Sequence, residues 1–454
     1  MTPEENDRPV LVAVLLSCLG VLFIFLLHPR IGIRDVDGYS YIMGARSLHL
    51  GTGYRGLTGE VFNHWPPGYS LLLSPFKDPV FAAMILNYLS FGLSVGLLYY
   101  LLRLSKWEPR AALGFTLVLA SGFFRLLANW VHPDILTYAL FLAGVCLAVS
   151  GARRTWPGIL WAVAIQLKFI AAVFLPAAFI ADLFTKRQSW IQVVRSYVPA
   201  GLVAAIGLAA ILVFNAHTTQ TLAPQQDVSS LGTFTTAAKV LVTQIPRAIP
   251  FSWHGTAFAA FPKIAFAVSM LMALICLCSL RGTSDGKWLR IFGSGCLIFS
   301  GFLLFVRAYE PVPRLIGYGI FALVIGFRPN RWANNVWLAY GLLSLAIGVT
   351  NATTVNSLGS NDPRYAQLAN EFQSYYKSST VVATNSFHIL DLHANIASVP
   401  VADYAEADHY QEFFWVTLPK FDATAGSVVR MPPPTAGWCQ EREFSGGILF
   451  RRCT

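Results

Sequence analysis

The chain has 454 residues, of which 55% are hydrophobic and 12% charged, with a formal net charge of +10. Soluble domains carry about a quarter of their residues as charges, so a chain this poor in charge must turn much of its surface to lipid. The positive balance does not point to nucleic acid: many Lys and Arg sit in short loops between apolar runs, the positive-inside pattern of a membrane protein.

The first apolar run, residues 10–28, is longer than the core of a cleavable signal and has no small-residue cleavage site after it, so it reads as an anchor. A polar stretch to Trp65 follows. Then come Pro66-Pro67-Gly68-Tyr69 and an apolar run over 69–76, too short to cross a bilayer and predicted to lie at the interface. Ten more spans are predicted at 79–102, 111–127, 135–150, 156–168, 170–184, 194–214, 258–280, 289–306, 312–327 and 333–349. With a cytoplasmic N-terminus, the basic clusters at 103–110, 153–154, 186–187, 281–290 and 328–331 all fall inside. Loops 29–66 and 216–257, the corners at 128–134, 168 and 307–314, and the tail then lie outside. The expected fold is an all-α polytopic bundle of about eleven transmembrane helices over 1–349, followed by a small extracytoplasmic α/β domain over 350–454.

Within the tail, Asp362-Pro363 opens a predicted helix running to about Lys377. A strand is expected over 380–383 and a helix over 406–414. Cys439 and Cys453 flank the turn Ser445-Gly446-Gly447, which predicts a hairpin closed by a disulfide on the outside of the cell. The other cysteines, Cys18, Cys146, Cys276, Cys278 and Cys296, lie in apolar spans and read as small core residues.

The first outer loop is the richest in chemistry. Asp37, Tyr41, Ala45 and Leu48 have helical spacing, which predicts an interfacial helix with Asp35 and Asp37 at its start. A carboxylate there can take a proton from a hydroxyl or hold a metal, or it can simply cap the helix. Asp134, in His132-Pro133-Asp134, carries the same two readings. Lys168 stands between two apolar spans on the outer side, either as a functional cation or as an ordinary turn lysine. Arg46 and Arg314 are weaker candidates of the same kind, with structural ion pairing as the alternative. His64, His132 and His254 could converge with Asp37 and Asp134, yet no two have metal-ligand spacing along a helix. No cofactor is required by this reading, and a divalent metal stays open. Trp65, Trp130 and Trp253 suit an interfacial aromatic belt or a sugar platform.

Asp37-x-x-x-Tyr41-x-x-x-Ala45-Arg46, the turn Gly51-Thr52-Gly53-Tyr54 and Trp65-Pro66-Pro67-Gly68-Tyr69 together resemble the GT-C superfamily of membrane glycosyltransferases. The nearest branch holds the bacterial relatives of protein O-mannosyltransferases and the lipid A aminoarabinose transferase. Tyr309-Glu310-Pro311-Val312-Pro313-Arg314 is similar to the family's entry to a late span, with Leu315 in place of a Tyr. Val381–Asn385 through Val399-Pro400 is similar to its C-terminal outer segment. The resemblance implies transfer of a hexosyl or pentosyl group from a polyprenyl-phosphate donor to a glycan, lipid or protein acceptor, on the outer face of the inner (plasma) membrane. Asp37 would be the general base, Asp35 would assist or substitute, and Asp134 would match the acid at the corner before the fourth span. Lys168, Arg314 and Arg46 would face the lipid phosphate, and Tyr41, His64, Trp65, His132 and His254 would line the substrate site.

The main alternative is a transporter or flippase. Such proteins place ionisable groups at mid-membrane, whereas these spans read as nearly clean of charge and the acids collect in outer loops. A non-catalytic scaffold would have lost the first-loop acid. An O-antigen ligase would carry an Arg-rich outer loop, and 216–257 holds only Lys239 and Arg247 as basic residues.

Overall fold

The computed structural model describes residues 3–28, 33, 36–59, 61–62, 65–185, 189–219, 262–306, 312–350, 363–377, 380–385, 390–401, 404–407, 409–417, 434 and 437–453. The chain is mostly helical. Among the described residues, three helices are long and apolar enough to cross a membrane, Arg8–Leu27, Pro79–Leu104 and Trp190–Phe214. Shorter apolar helices cover Asp134–Val149, Thr155–Leu167, Phe169–Thr185 and Ala333–Val349. Leu11, Leu22, Phe81, Leu89, Leu202 and Ile206 are exposed on these helices, as a lipid-facing surface requires.

Helix α1 (Pro3–Leu27) lies along α4 (Pro79–Leu104), and a pair of glycines explains the approach. A Cβ at Gly92 would sit 2.5 Å from Ser17 O, and one at Gly96 2.4 Å from Ala13 O. This is the small-x-x-x-small spacing that lets helix backbones touch in lipid. Asp78 starts α4, its Oδ1 accepting from the amides of Val80 and Phe81 at 3.0 Å each, with Pro79 at the first helical position.

Two short helices, α2 (Val36–His49) and α3 (Gly68–Leu73), pack together over a cluster of Tyr39, Tyr41, Ile42, Tyr69, Leu73, Ala83, Val131 and Leu167. The predicted span 111–127 is not one regular helix. It runs as α5 (Pro109–Leu119), a π turn (Ala120–Phe124) and α6 (Arg125–Ala128). The Ser121 hydroxyl bonds back to Leu117 O at 2.7 Å at the π turn. Then follow α7 (Asp134–Val149), α8 (Thr155–Leu167), a 3₁₀ turn (Phe169–Val173), α9 (Phe174–Thr185) and α10 (Trp190–Thr219). After these come α11 (Pro262–Cys278), α12 (Lys287–Val306), α13 (Val312–Ile325) and α14 (Ala333–Thr350). The strands β1 (Leu280–Gly282) and β2 (Phe327–Pro329) pair antiparallel between them.

The spans are less clean of charge than the sequence reading has them. Asp182 on α9 is fully buried, and Arg154 grips it with Nε–Oδ2 at 2.7 Å and Nη2–Oδ1 at 2.9 Å. Tyr197 Oη (3.1 Å) and Trp288 Nε1 (2.8 Å) donate to the same carboxylate. Full hydrogen bonding is what makes a buried charge tolerable, and here it ties α8, α9, α10 and α12 together.

The tail forms a five-stranded sheet in the order β4-β3-β5-β7-β6, built from β3 (Val382–Thr384), β4 (Ser398–Pro400), β5 (Glu412–Val416), β6 (Trp438–Phe444) and β7 (Gly447–Arg452). Strand β3 runs parallel to β4 and β5; the other pairings are antiparallel. Helix α15 (Pro363–Tyr375) covers one face, with Phe372 against Phe414. The helix expected over 406–414 is corrected: among the described residues there, helix covers Tyr404–Ala407 (α16), and Glu412–Val416 is β5, the central strand. Phe413 and Phe414 are both buried, on opposite faces, and a strand covered on both sides reads as a continuous apolar run that periodicity cannot tell from a helix. Cys439 and Cys453 are joined by a disulfide across β6 and β7.

Candidate active site

Helix α2 begins at Val36, so Asp37 lies inside its first turn rather than at the cap. Asp37 Oδ1 accepts a hydrogen bond from Trp65 Nε1 at 3.0 Å. The face of that indole meets Lys168, whose Nζ stands 5.5 Å from the ring centroid, within cation–π range. Lys168 Nζ in turn lies 2.7 Å from Asp134 Oδ1, the two side chains being 4% and 3% exposed. One acid, one indole, one ammonium and a second acid thus form a continuous chain of contacts drawn from four segments far apart in sequence.

Each segment is placed by a local cause. Helix α8 ends at Leu167, Lys168 is extended (φ −150°, ψ 125°), and the chain restarts as a 3₁₀ turn at Phe169. This break turns the lysine inward and leaves it 3% exposed, which is not how an ordinary turn lysine behaves. The capping role weighed for Asp134 is corrected: Pro133 occupies the cap without a side-chain hydrogen bond, and Asp134 is the first residue of α7, its carboxylate on Lys168. A negative charge there also faces the positive end of the helix dipole.

His132 Nδ1 is 3.8 Å from Asp134 Oδ2, and its ring sits edge-on to Tyr41 at 6.1 Å between centroids. Tyr41 packs edge-on to Tyr69 at 5.2 Å. Tyr69 donates to Asn87 Oδ1 on α4 at 3.0 Å, and Asn87 Nδ2 donates to Trp130 O at 2.6 Å, holding the corner that precedes Asp134. The glycine of Pro66-Pro67-Gly68-Tyr69 has a steric reason: a Cβ there would sit 2.2 Å from Gln166 O. Only glycine lets α3 lie against the end of α8, next to Lys168.

The structure therefore brings together Asp37, Trp65, Lys168, Asp134, His132 and Tyr41. Arg46, on the same helix as Asp37, points elsewhere: its Nη1 is 3.4 Å from the Asp391 carbonyl oxygen in the C-terminal tail and 3.6 Å from Met43 Sδ. Asp35, His64 and His254 lie outside the described residues, as does Trp253. Arg314 is on α13, with its side chain outside the description. Among the described residues no group of three His, Cys, Asp or Glu is placed to hold a metal ion.

Sequence reading missed Asn87 and Asp391. A lone amide in the apolar run of α4, and a lone acid in Leu390-Asp391-Leu392, were the available signals.

No family model matches the chain, and no curated protein matches it. Among solved structures, the chain is similar to ArnT from Cupriavidus metallidurans bound to undecaprenyl phosphate, with 12% identity and a TM-score of 0.47 over 99% of this chain and 98% of that one. It is likewise similar to the apo state of the same protein, with 13% identity and a TM-score of 0.49 over 96% and 97% of the two chains.

Proposed function

We propose that the chain is a GT-C-type membrane glycosyltransferase that moves a sugar from a polyprenyl-phosphate carrier to an acceptor hydroxyl at the outer face of the inner (plasma) membrane. In this reading residues 1–349 form a bundle of about eleven spans with a cytoplasmic N-terminus, and 350–454 an extracytoplasmic domain. The observation that carries the proposal is the Asp37–Trp65–Lys168–Asp134 chain of contacts, in which one indole meets a carboxylate with its N–H edge and an ammonium with its face.

The chemistry follows from those positions. Asp37 Oδ1 accepts from Trp65 Nε1, and Oδ2 is the oxygen assigned to the acceptor proton. The acceptor O–H gives its proton to that oxygen, and its electron pair forms the bond to the anomeric carbon. The bond from the anomeric carbon to phosphate breaks, and its electron pair leaves on the phosphate oxygen, which stays attached to the lipid. Lys168 meets that developing charge. Pairing with Asp134 at 2.7 Å orients the ammonium. Trp65, half-buried, gives the sugar an aromatic face, and His132 and Tyr41 pack edge-on to each other beside Asp134. The sugar is hexosyl or pentosyl, mannosyl-like transfer included, and the acceptor is a glycan, lipid or protein.

The test is transfer of radiolabelled sugar from a panel of polyprenyl-phosphate sugars, with undecaprenyl carriers first, by the purified chain in a bilayer beside Asp37→Asn. Turnover in the wild type and none in the variant is the expected result. Equal turnover in both removes Asp37 as base. Movement of intact donor across the bilayer without turnover replaces the transferase reading with the transporter one.

A further inference from the structure

We propose that Asp391, in the C-terminal domain, is a positioning residue for the reaction assigned to Asp37, clasping α2 from its outer side and setting how Asp37 meets the acceptor. The inference rests on the glycosyltransferase reading for its catalytic half and on geometry alone for the clasp.

Asp391 lies in a π turn, Leu390–Ala394, and is 1% exposed. Its Oδ1 accepts from the Ser398 amide and the Ser398 hydroxyl, both at 2.7 Å, which fixes the carboxylate to the start of β4. Asn395, in the left-handed region at φ 54°, and the bond from Ile396 N to Leu390 O at 3.2 Å close the turn behind it. The other oxygen, Oδ2, accepts from Tyr39 Oη at 2.8 Å, and the Asp391 carbonyl oxygen accepts from Arg46 Nη1 at 3.4 Å. Residues 39 and 46 are two helical turns apart and so share one face of α2. Both ends of that face therefore close on a single residue of the neighbouring domain.

The opposite side of α2 belongs to the bundle: Ser70 Oγ donates to Tyr41 O at 2.9 Å, and Tyr41 packs on Tyr69. Asp37 lies two residues before Tyr39, so any roll or slide of the helix is passed to its carboxylate. Adhesion between domains would be served as well by apolar contacts. A buried carboxylate held by directional bonds costs desolvation, and its distinctive return is a fixed geometry. Geometry is what general-base catalysis needs, since a displacement of about 1 Å can cost about 100-fold in rate.

The experiment uses the full chain in lipid nanodiscs with the donor found by the panel above. Tyr39→Phe deletes only the hydroxyl that reaches Asp391, and Asp391→Ala deletes the carboxylate. Hydrogen exchange is followed at the amides of α2 and, as an internal reference, of α4. Faster exchange confined to α2 in both variants is expected, with kcat down about threefold for Tyr39→Phe and at least tenfold for Asp391→Ala. Donor KM stays within twofold, and the double variant is no slower than Asp391→Ala. Unchanged α2 exchange in folded Asp391→Ala overturns the clasp, and an unchanged kcat, or a loss confined to KM, overturns the positioning role. If the wild type turns over no donor, the transferase reading falls with the positioning role, while the exchange result still decides the clasp.

Discussion

Lys168 and Asp134 meet at 2.7 Å, almost wholly buried, one from a break between two helical segments and the other from the first turn of α7. The pair joins two elements, and it forms because α7 and α8 pack side by side. Removing one member of a buried pair strands a charge and costs about 3–5 kcal/mol, whereas replacing both with apolar residues is often neutral. Lys168→Met alone and Asp134→Leu alone should therefore lower the unfolding temperature in lipid, and the double variant should recover most of it. Sugar transfer should stay absent in all three, which separates the pair's stability role from its chemistry.

Asp37→Asn keeps an oxygen that can accept from Trp65 Nε1, so the fold should be unchanged. A missing general base typically removes about 10²–10⁴ in rate, and kcat should fall by that order at unaltered thermal stability. Trp65→Phe loses a hydrogen bond worth about 1 kcal/mol and weakens the face presented to Lys168. Its expected signature is a raised donor KM, read in the same transfer assay.

Gly68→Ala forces a methyl to within 2.2 Å of Gln166 O, a backbone atom that cannot step aside. Helix α3 must move off the end of α8, which carries Lys168 next to it. Donor KM should rise and thermal stability fall. Gly201→Ala is the control: nothing lies within 4 Å of its Cβ position, and α10 should gain up to about 1 kcal/mol from the better helix former.

Asp182→Asn strips the charge that balances buried Arg154 and should destabilise the bundle by about 3–5 kcal/mol. Per folded molecule, donor KM and kcat should not change, because the Arg154–Asp182 node shares no residue with the Lys168–Asp134 pair. Thermal unfolding and transfer measured on the same preparation check both halves.

The C-terminal sheet should respond to reductant and to acid. The Cys439–Cys453 bridge closes a short loop, and opening such a loop costs about 3 kcal/mol. Non-reducing thiol titration should find neither cysteine free, and reduction should lower the melting of β6 and β7. Ser445, and after it Gln367, hydrogen-bond the Glu371 carboxylate and hold its pKa below the usual value. A depressed acid contributes stability above its unfolded pKa of about 4 and loses it as pH falls through the folded value. Glu371→Gln should flatten the acid limb of the melting curve while leaving neutral pH little changed.

Much of the framework was legible in the sequence because it depends on local chemistry. Apolar run length predicts helices such as Pro79–Leu104 and Trp190–Phe214. Helical spacing predicts α2 at Asp37, and Asp362-Pro363 predicts α15, which begins at Pro363. The central strand β5 was read as helix because burial on both faces erases the period-two signal that distinguishes strands.

The candidate site was legible as a set of residues and not as an arrangement. Residue type and position single out Asp37, Trp65, Asp134 and Lys168, since an acid or a lysine beside apolar runs is costly without a purpose. Which acid pairs with Lys168, that Trp65 stands between that lysine and Asp37, and that Arg46 turns to Asp391 were decided by helix packing alone. Sequence sets which groups must find partners once buried; only the tertiary structure, by bringing distant segments within hydrogen-bonding distance, chooses the partners.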